Sequence, residues 1–378
     1  MILSGCKFYE TGKGFAAGDI SFDADSGLIN DSFEGEIIDA SECLVLPGFA
    51  DTHIHGCFGS DTSDMSSDAI VNMALNLPRF GVTSFCPTTM TMSSDKIFRT
   101  FDAVDEAISI LKKSDKPYAS ILGVHLEGPF LSPVMSGVQG RESLMLPQDG
   151  YDLINKLEND HPGLLRIIDI APELDGADEF IKEYNGRYIF SIAHSACDYD
   201  LAIKSIGLGV NSVTHVLNAM MPIDKRAPGA ACAAIDIGCF VELICDGIHV
   251  MPPVLRLLFK SVPEDRMIVI SDSMRGSGMP DGDYQLGDTF VRCENGRTYF
   301  GSENRLAGSV TNLFDEFTLL VNEGVDMDKA IRALSVNPLL RLGINGGSIK
   351  PGQPADLTII KNNKVFMTVC KGRVFLNS

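Results

Sequence analysis

The sequence predicts an α/β protein: a (β/α)8 barrel of the TIM type, joined to a small β-sandwich built from both ends of the chain. Three observations carry this expectation. From about Gly48 onward, short runs rich in Val, Ile and Phe alternate with longer stretches of helical spacing, the mark of repeated strand–helix units and a parallel sheet. The apolar runs number eight, and eight strands with helices between them close most economically into a barrel. Both chain ends lack the helical period and read instead as short strands with tight polar turns.

In chain order, Met1 to Leu46 is broken by the turns GKG, ADSG and FEGE, so residues 1–47 are expected to form one part of the sandwich. The barrel is expected over 48–345, with strands at Gly48–His55, Val82–Thr88, Ser120–Leu126, Leu164–Ala171, Arg187–Ala193, Ser212–Val216, Cys239–Cys245 and Arg266–Ser271. Helical spacing between them falls at Asp68–Phe80, Lys96–Lys113, Asp149–Glu158, Tyr199–Ile206 and Pro253–Lys260. After the last strand, Asp281–Phe300 reads as a β-hairpin inserted over the barrel mouth, and helices return at Ser309–Glu323 and Asp328–Leu334. Strand signals resume over 346–378. Neither end can bury enough surface alone, so the two are expected to pair.

The chain has 378 residues with 50 acidic and 31 basic side chains, a formal charge of −19. Such a field excludes a general grip on nucleic acid or on an anionic membrane. Hydrophobic residues make up 45%, enough for a large core. Ten cysteines are scattered from Cys6 to Cys370 with no C-x-x-C pair, which fits a reducing cytoplasm better than a disulfide framework. No basic, apolar leader precedes Cys6, and no apolar run approaches the length of a membrane span.

In a barrel of this kind the chemistry sits where strands end. The first strand ends in DTHIHG (His53, His55), the third in VHLEGPF (His125, Glu127), the fifth in SIAHS (His194) and the sixth in SVTHV (His215). The seventh leads to DGIHV (His249) and the eighth ends in VISDSM (Asp272). Six of the seven histidines therefore fall at or just past strand ends. His53 and His55, two apart on a strand, project to one side and can reach one metal ion. Glu127, His194 and His215 add a carboxylate and two imidazoles from strands facing the same axis, a donor set suited to Zn²⁺ or Fe²⁺ rather than Mg²⁺. Each taken singly has a plainer reading as a hydrogen-bonded core histidine or a capping acid. His125 is expected to pack or to support a ligand. Asp272 follows an apolar run, where a carboxylate is costly without a partner; it is placed to take a proton from water near the metal and return it to a leaving group, or else to cap the following turn.

Taken in order, PGFADTHIHG, HLEGPF, the isolated strand-five histidine, THVLNAM, RAPG, DGIHV and ISDSM resemble the N-acetylglucosamine-6-phosphate deacetylase family of the amidohydrolase superfamily. The resemblance runs nearly the whole chain, through LAGS and SVNPLLRLGI. It implies that Glu127, His194 and His215 bind the main metal, and that His53 and His55 hold a second where they are present, giving one or two ions per chain. It implies Asp272 as general base and acid, and His249 as a substrate contact that polarises the carbonyl. Asn218, the Ala219 backbone and Arg226 resemble the sugar-phosphate elements, with the arginine reaching across a homodimer. Gln139 stands where the family usually has a sugar-contacting histidine, which leaves the sugar open. The strand-four stretch RIIDIAPE offers no bridging lysine. The implied reaction releases acetate from N-acetylglucosamine 6-phosphate. The same chemistry on another N-acyl amino sugar or amide, and a silent sugar-phosphate-binding paralogue, remain as alternatives.

Overall fold

The computed structural model describes residues 1–302 and 305–377. Every residue of Phe49–Ile54 and Val82–Pro87 is buried, as expected for strands covered on both faces. These two form a parallel sheet with Ser120–Ile121. A second parallel sheet runs in chain order through Val124–Leu126, Leu165–Ile170, Ile189–Ile192, Val210–Val213, Phe240–Leu243 and Met267–Val269. Backbone hydrogen bonds join the two sheets at both margins. The Thr89 N–H donates to the His125 carbonyl at 3.0 Å, and the Asp272 N–H donates to the His53 carbonyl at 2.9 Å. All eight predicted runs are present, curled so that their carboxyl ends gather on one side.

The third run differs from expectation because it is broken in the middle. Gly123 sits at φ +125°, and a Cβ there would lie 2.2 Å from Arg166 Cγ and 2.8 Å from the Leu164 carbonyl. The chain changes partner at this glycine: Ser120–Ile121 pairs with the second strand, Val124–Leu126 with the fourth.

The five expected inter-strand helices appear at Ser67–Asn76, Ser94–Leu111, Tyr151–Asp160, Tyr199–Leu208 and Pro252–Ser261. Two more, Ala177–Tyr184 and Ala230–Ile237, carry too little pattern to read: the first is eight residues long, and the second is apolar on nearly every side (AACAAIDI). The helix expected from Ser309 begins at Leu313, where the Asn312 side chain accepts the Phe314 and Asp315 N–H groups and fixes the start. The next helix, Met327–Ile331, continues through a π-turn at Arg332–Val336 into Asn337–Leu342. That extension carries Arg341 into the ring. Its guanidinium donates to Ser212 Oγ at 2.9 Å and Thr52 Oγ1 at 2.8 Å and pairs with Glu242 Oε1 at 2.5 Å, all fully buried.

The chain ends meet in one eight-stranded sheet, because Leu44–Pro47 pairs antiparallel with Leu357–Lys361. Leu3, Phe22, Val45, Leu357 and Val369 form its core. The excursion after the ring is larger than one hairpin: Gly282–Leu286, Thr289–Glu294, Arg297–Phe300 and Arg305–Leu306 make a four-stranded antiparallel sheet. Among the described residues, no helix is long and apolar enough to cross a membrane.

Candidate active site

The polar strand ends converge because the backbone turns sharply just past each strand. His194, His215 and Asp272 have φ of 43°, 31° and 46°, a left-handed conformation that swings the chain away from its strand direction. Behind Glu127, Gly128 has φ +81°, and a Cβ there would lie 2.1 Å from Thr91 Oγ1. The glycine of HLEGPF is therefore needed for the chain to pass over Thr91, whatever follows chemically.

Glu127 is the centre of the cluster. Its Oε1 lies 2.9 Å from His194 Nε2 and 3.1 Å from His215 Nε2, and its Oε2 lies 3.2 Å from His55 Nε2 and 3.8 Å from His53 Nε2. Asp272 Oδ1 closes the far side, 3.2 Å from His55 Nε2 and 3.5 Å from His53 Nε2. Two sets of three candidate ligand atoms result, Glu127–His194–His215 and His53–His55–Asp272, each with its atoms within 4.8 Å of one another. A third set, His53–His125–Asp169, is less open. His125 already sits with Nδ1 2.9 Å from the Thr52 carbonyl and Nε2 3.1 Å from Asp169 Oδ1, which also accepts from Thr214 at 2.7 Å.

The electrostatics of the first two sets call for positive charge. Burial pushes the Glu127 carboxyl up, but His194 and His215, with His53 and His55, outweigh it and hold the group well below the usual range. Asp272 follows the same logic: burial raises it, and His53 and His55 more than compensate, lowering it. Burial pulls His55 down, yet Asp272 and Glu127 raise it to about 10, and His53 is raised well above its ordinary value by Asp272, Glu127 and Glu242. Both nitrogens of buried His53 and Nδ1 of His215 have no hydrogen-bond partner. Buried carboxylates held anionic beside unsatisfied imidazole nitrogens fit a divalent cation, which would supply the charge the imidazoles otherwise carry as protons.

Above the cluster is a cavity of about 210 Å³. His249, Asn218, Ala219 and Gln139 line it, as do Phe300 and Arg305 from the excursion. His249 Nδ1 lies 2.7 Å from Asp246 Oδ2, and Asp246 Oδ1 accepts the Ile248 and His249 N–H groups at 2.8 Å each. Burial lowers the His249 pKa and Asp246 more than restores it, so the net direction is up. The Arg305 guanidinium lies 4.7 Å from the Phe300 ring centroid. Arg226 is absent from this lining: it is exposed, in a loop whose turn is set by Asp224 Oδ1 accepting the Arg226 and Ala227 N–H groups. The structure thus brings together His53, His55, Glu127, His194, His215 and Asp272, places His249, Gln139, Asn218 and Ala219 around them, and leaves Arg226 outside.

Sequence reasoning missed Asp169, Glu242, Asp246 and Arg305. A signal existed for the first two, since each is the lone carboxylate in an apolar strand (RIIDIA, FVELI). Asp246 opens the DGIHV stretch that drew attention only for His249, and Arg305 lies in a stretch that looks like ordinary polar loop.

A parallel ring whose strand ends present a carboxylate between two imidazole pairs defines a class of metal-assisted hydrolases, and comparison bears this out. The chain belongs to the amidohydrolase family, whose model matches residues 44–375. It is 35% identical over 353 residues to the N-acetylglucosamine-6-phosphate deacetylase of Bacillus subtilis (strain 168), covering 90% of this chain and 87% of that protein. It is 32% identical over 326 residues to the N-acetylgalactosamine-6-phosphate deacetylase of Escherichia coli O157:H7, covering 84% and 83%. Among solved structures, the N-acetylglucosamine-6-phosphate deacetylase of Pasteurella multocida superposes with a TM-score of 0.91 at 25% identity, covering 100% of this chain and 99% of that one. A mutant of the Mycobacterium smegmatis enzyme in complex with N-acetyl-D-glucosamine-6-phosphate gives 0.89 at 27%, with the same coverage.

Proposed function

We propose that this chain hydrolyses the N-acetyl group of N-acetylglucosamine 6-phosphate, giving glucosamine 6-phosphate and acetate. The observation that carries the reading is Glu127, held by one oxygen between His194 and His215 and by the other at His55, with Asp272 beside it in the lining of the same cavity. Glu127, His194 and His215 would hold a divalent ion, Zn²⁺ or Fe²⁺ by donor type, and His53 and His55 a second. Such an ion polarises the amide carbonyl and acidifies water.

The chain's own residues do the rest. Asp272 takes a proton from the attacking water and delivers it to the departing nitrogen, so the amide bond breaks as the carbon–oxygen bond of acetate forms. His249, oriented by Asp246 through Nδ1, keeps its other ring nitrogen for the carbonyl oxygen. Asn218 and the Ala219 backbone line the same cavity and would contact the sugar phosphate. Arg226 is exposed and lies outside the lining of its own cavity, and we place it at the partner's site in a homodimer. All ten cysteines are unpaired, which favours a cytoplasmic protein. We also infer that the curled parallel sheet is a (β/α)8 barrel over residues 48–345, and that residues 1–47 and 346–378 fold over their shared core as a β-sandwich.

Metal per chain, measured by plasma emission alongside acetate release, tests this assignment. Glu127→Gln, His194→Ala and His215→Ala are expected to lose metal and activity together. His53→Ala or His55→Ala should remove at most one further equivalent; loss of all metal from the His53 variant would reverse the ranking. A second reading, the same chemistry on the galactosamine epimer, draws on the galactosamine relative and on Gln139 in place of the histidine. Comparing kcat/KM on the two sugar phosphates decides between them, and absence of turnover on either by metal-loaded protein would leave a silent binder.

A further inference from the structure

Gln139 lines the cavity, but its polar atoms are turned elsewhere. It is only 5% exposed. Its Oε1 accepts the Thr91 backbone N–H at 2.7 Å, and its Nε2 donates to Glu127 Oε2 at 2.7 Å. The second hydrogen on Nε2 faces the Met90 thioether sulfur at 3.8 Å. A backbone N–H can only donate, so Thr91 decides which end of the carboxamide is oxygen, and the NH₂ must then face the carboxylate. Both hydrogens of Nε2 are thereby committed within the protein.

The geometry points to Gln139 as a positioning residue for the metal-binding carboxylate rather than a contact to the sugar. It grips the oxygen of Glu127 that is turned toward His55, while the other oxygen serves His194 and His215. Being neutral, it orients the carboxylate without offsetting the charge a cation needs. The same loop restrains a second candidate ligand: the Met135 carbonyl accepts from His194 Nδ1 at 2.9 Å, and the Ser132 N–H donates to the His194 carbonyl at 2.9 Å. The segment after HLEGPF is thus a clamp on two members of one ligand set, with Gln139 as its far jaw. Partners of this kind fix ligand orientation, and their loss weakens metal binding by about 10–100-fold.

This inference rests on Glu127 being a metal ligand, and the experiment separates the two claims. Full-length protein is stripped with a chelator and titrated with Co²⁺, reading both affinity and the visible spectrum. Gln139→Met, which keeps the volume but removes both hydrogen bonds, and Gln139→Asn, too short to span Thr91 and Glu127, are compared with wild type. Equal melting temperatures of the metal-free forms control for folding. We expect both variants to bind Co²⁺ about 10–100-fold more weakly, with an altered spectrum, a matching fall in kcat and KM within about 3-fold of wild type. Unchanged affinity and spectrum overturn the inference, whether KM rises or stays put. If Glu127→Gln itself binds Co²⁺ as wild type does, the ligand assignment beneath it has failed instead.

Discussion

Two buried polar clusters lie within the same ring of strands, and they are built on opposite terms. At the strand ends, Glu127 and Asp272 face four imidazoles, and several ring nitrogens lack partners. Further back along the strands, the Arg341 guanidinium reaches Ser212, Thr52 and Glu242 and brings its own positive charge. Burial raises the Glu242 carboxyl, but Arg341, with His53 and His125, outweighs this and lowers it. The rear cluster balances its charge with protein groups alone, although Glu242 Oε2 and Arg341 Nε make no hydrogen bond. The front cluster stays open to a cation and a substrate. The difference teaches that burial of charge does not by itself mark a catalytic site: the mark is charge whose partner the protein has not supplied.

The comparison breaks most sharply at Asp272. Asp272→Asn should keep its metal and its fold but lose turnover by at least about 10²–10⁴-fold, since the amide fills the space without carrying a proton. Acetate release near the wild-type rate with metal bound would remove Asp272 from its role. The rear cluster should answer in the opposite currency. Arg341→Met leaves Glu242 as an unpaired buried charge and is expected to cost about 3–5 kcal/mol of folding stability in urea, with metal per chain unchanged. Adding Glu242→Gln to that variant should recover a large part of the loss; no recovery would show that the pair is not what the arginine serves.

A smaller effect is expected outside both clusters, at Arg226. Its alanine variant should raise KM for a phosphorylated substrate by the equivalent of about 1.5–3 kcal/mol, the scale of a charged hydrogen bond. The unphosphorylated sugar should be turned over much as before; equal damage to both substrates would sink the phosphate assignment. The smallest effect belongs to the terminal sheet, because Asp356 is only half-buried and solvent screens its charge. Burial raises the Asp356 carboxyl from 3.8 to about 6, against the pull of the Lys371 N–H that it accepts at 2.7 Å. Because the folded chain holds this proton longer than the unfolded one, the group subtracts from stability as pH rises through roughly pH 4 to 6, and the loss stays constant above. Asp356→Asn should flatten that part of the stability–pH curve; an unchanged slope would point to another group.

Legibility in the sequence follows the same divide. The eight strands could be read because burial on both faces leaves uninterrupted apolar runs, and the front histidines because each interrupts or ends such a run. The break at Gly123 could not be read, since what demands a glycine there is the close approach of Arg166 and the Leu164 carbonyl from the neighbouring segment. Arg341 was hidden for a similar reason: on a short helix an arginine looks like surface, and its buried partners Thr52, Ser212 and Glu242 are all distant in sequence. Gln139 stood out in the sequence as a departure from the family, but its link to Glu127 depends on the backbone of Thr91, 48 residues earlier.

The left-handed backbone at His194, His215 and Asp272 has a consequence for how such a chain decays over generations. Each of these residues holds a conformation that costs an L-residue about 1–2 kcal/mol, and that asparagine or glycine adopts more readily. On the proposed mechanism, a random change at these positions can therefore abolish catalysis while easing the fold. Cells dispose of proteins that unfold, not of proteins that fail to react, so a lineage carrying Asp272→Asn or Asp272→Gly would retain its abundance and its shaped cavity. Relatives that still bind the sugar phosphate but no longer cleave it are the expected by-product of this architecture, and among such sequences position 272 should drift to Asn or Gly before the strand cores change.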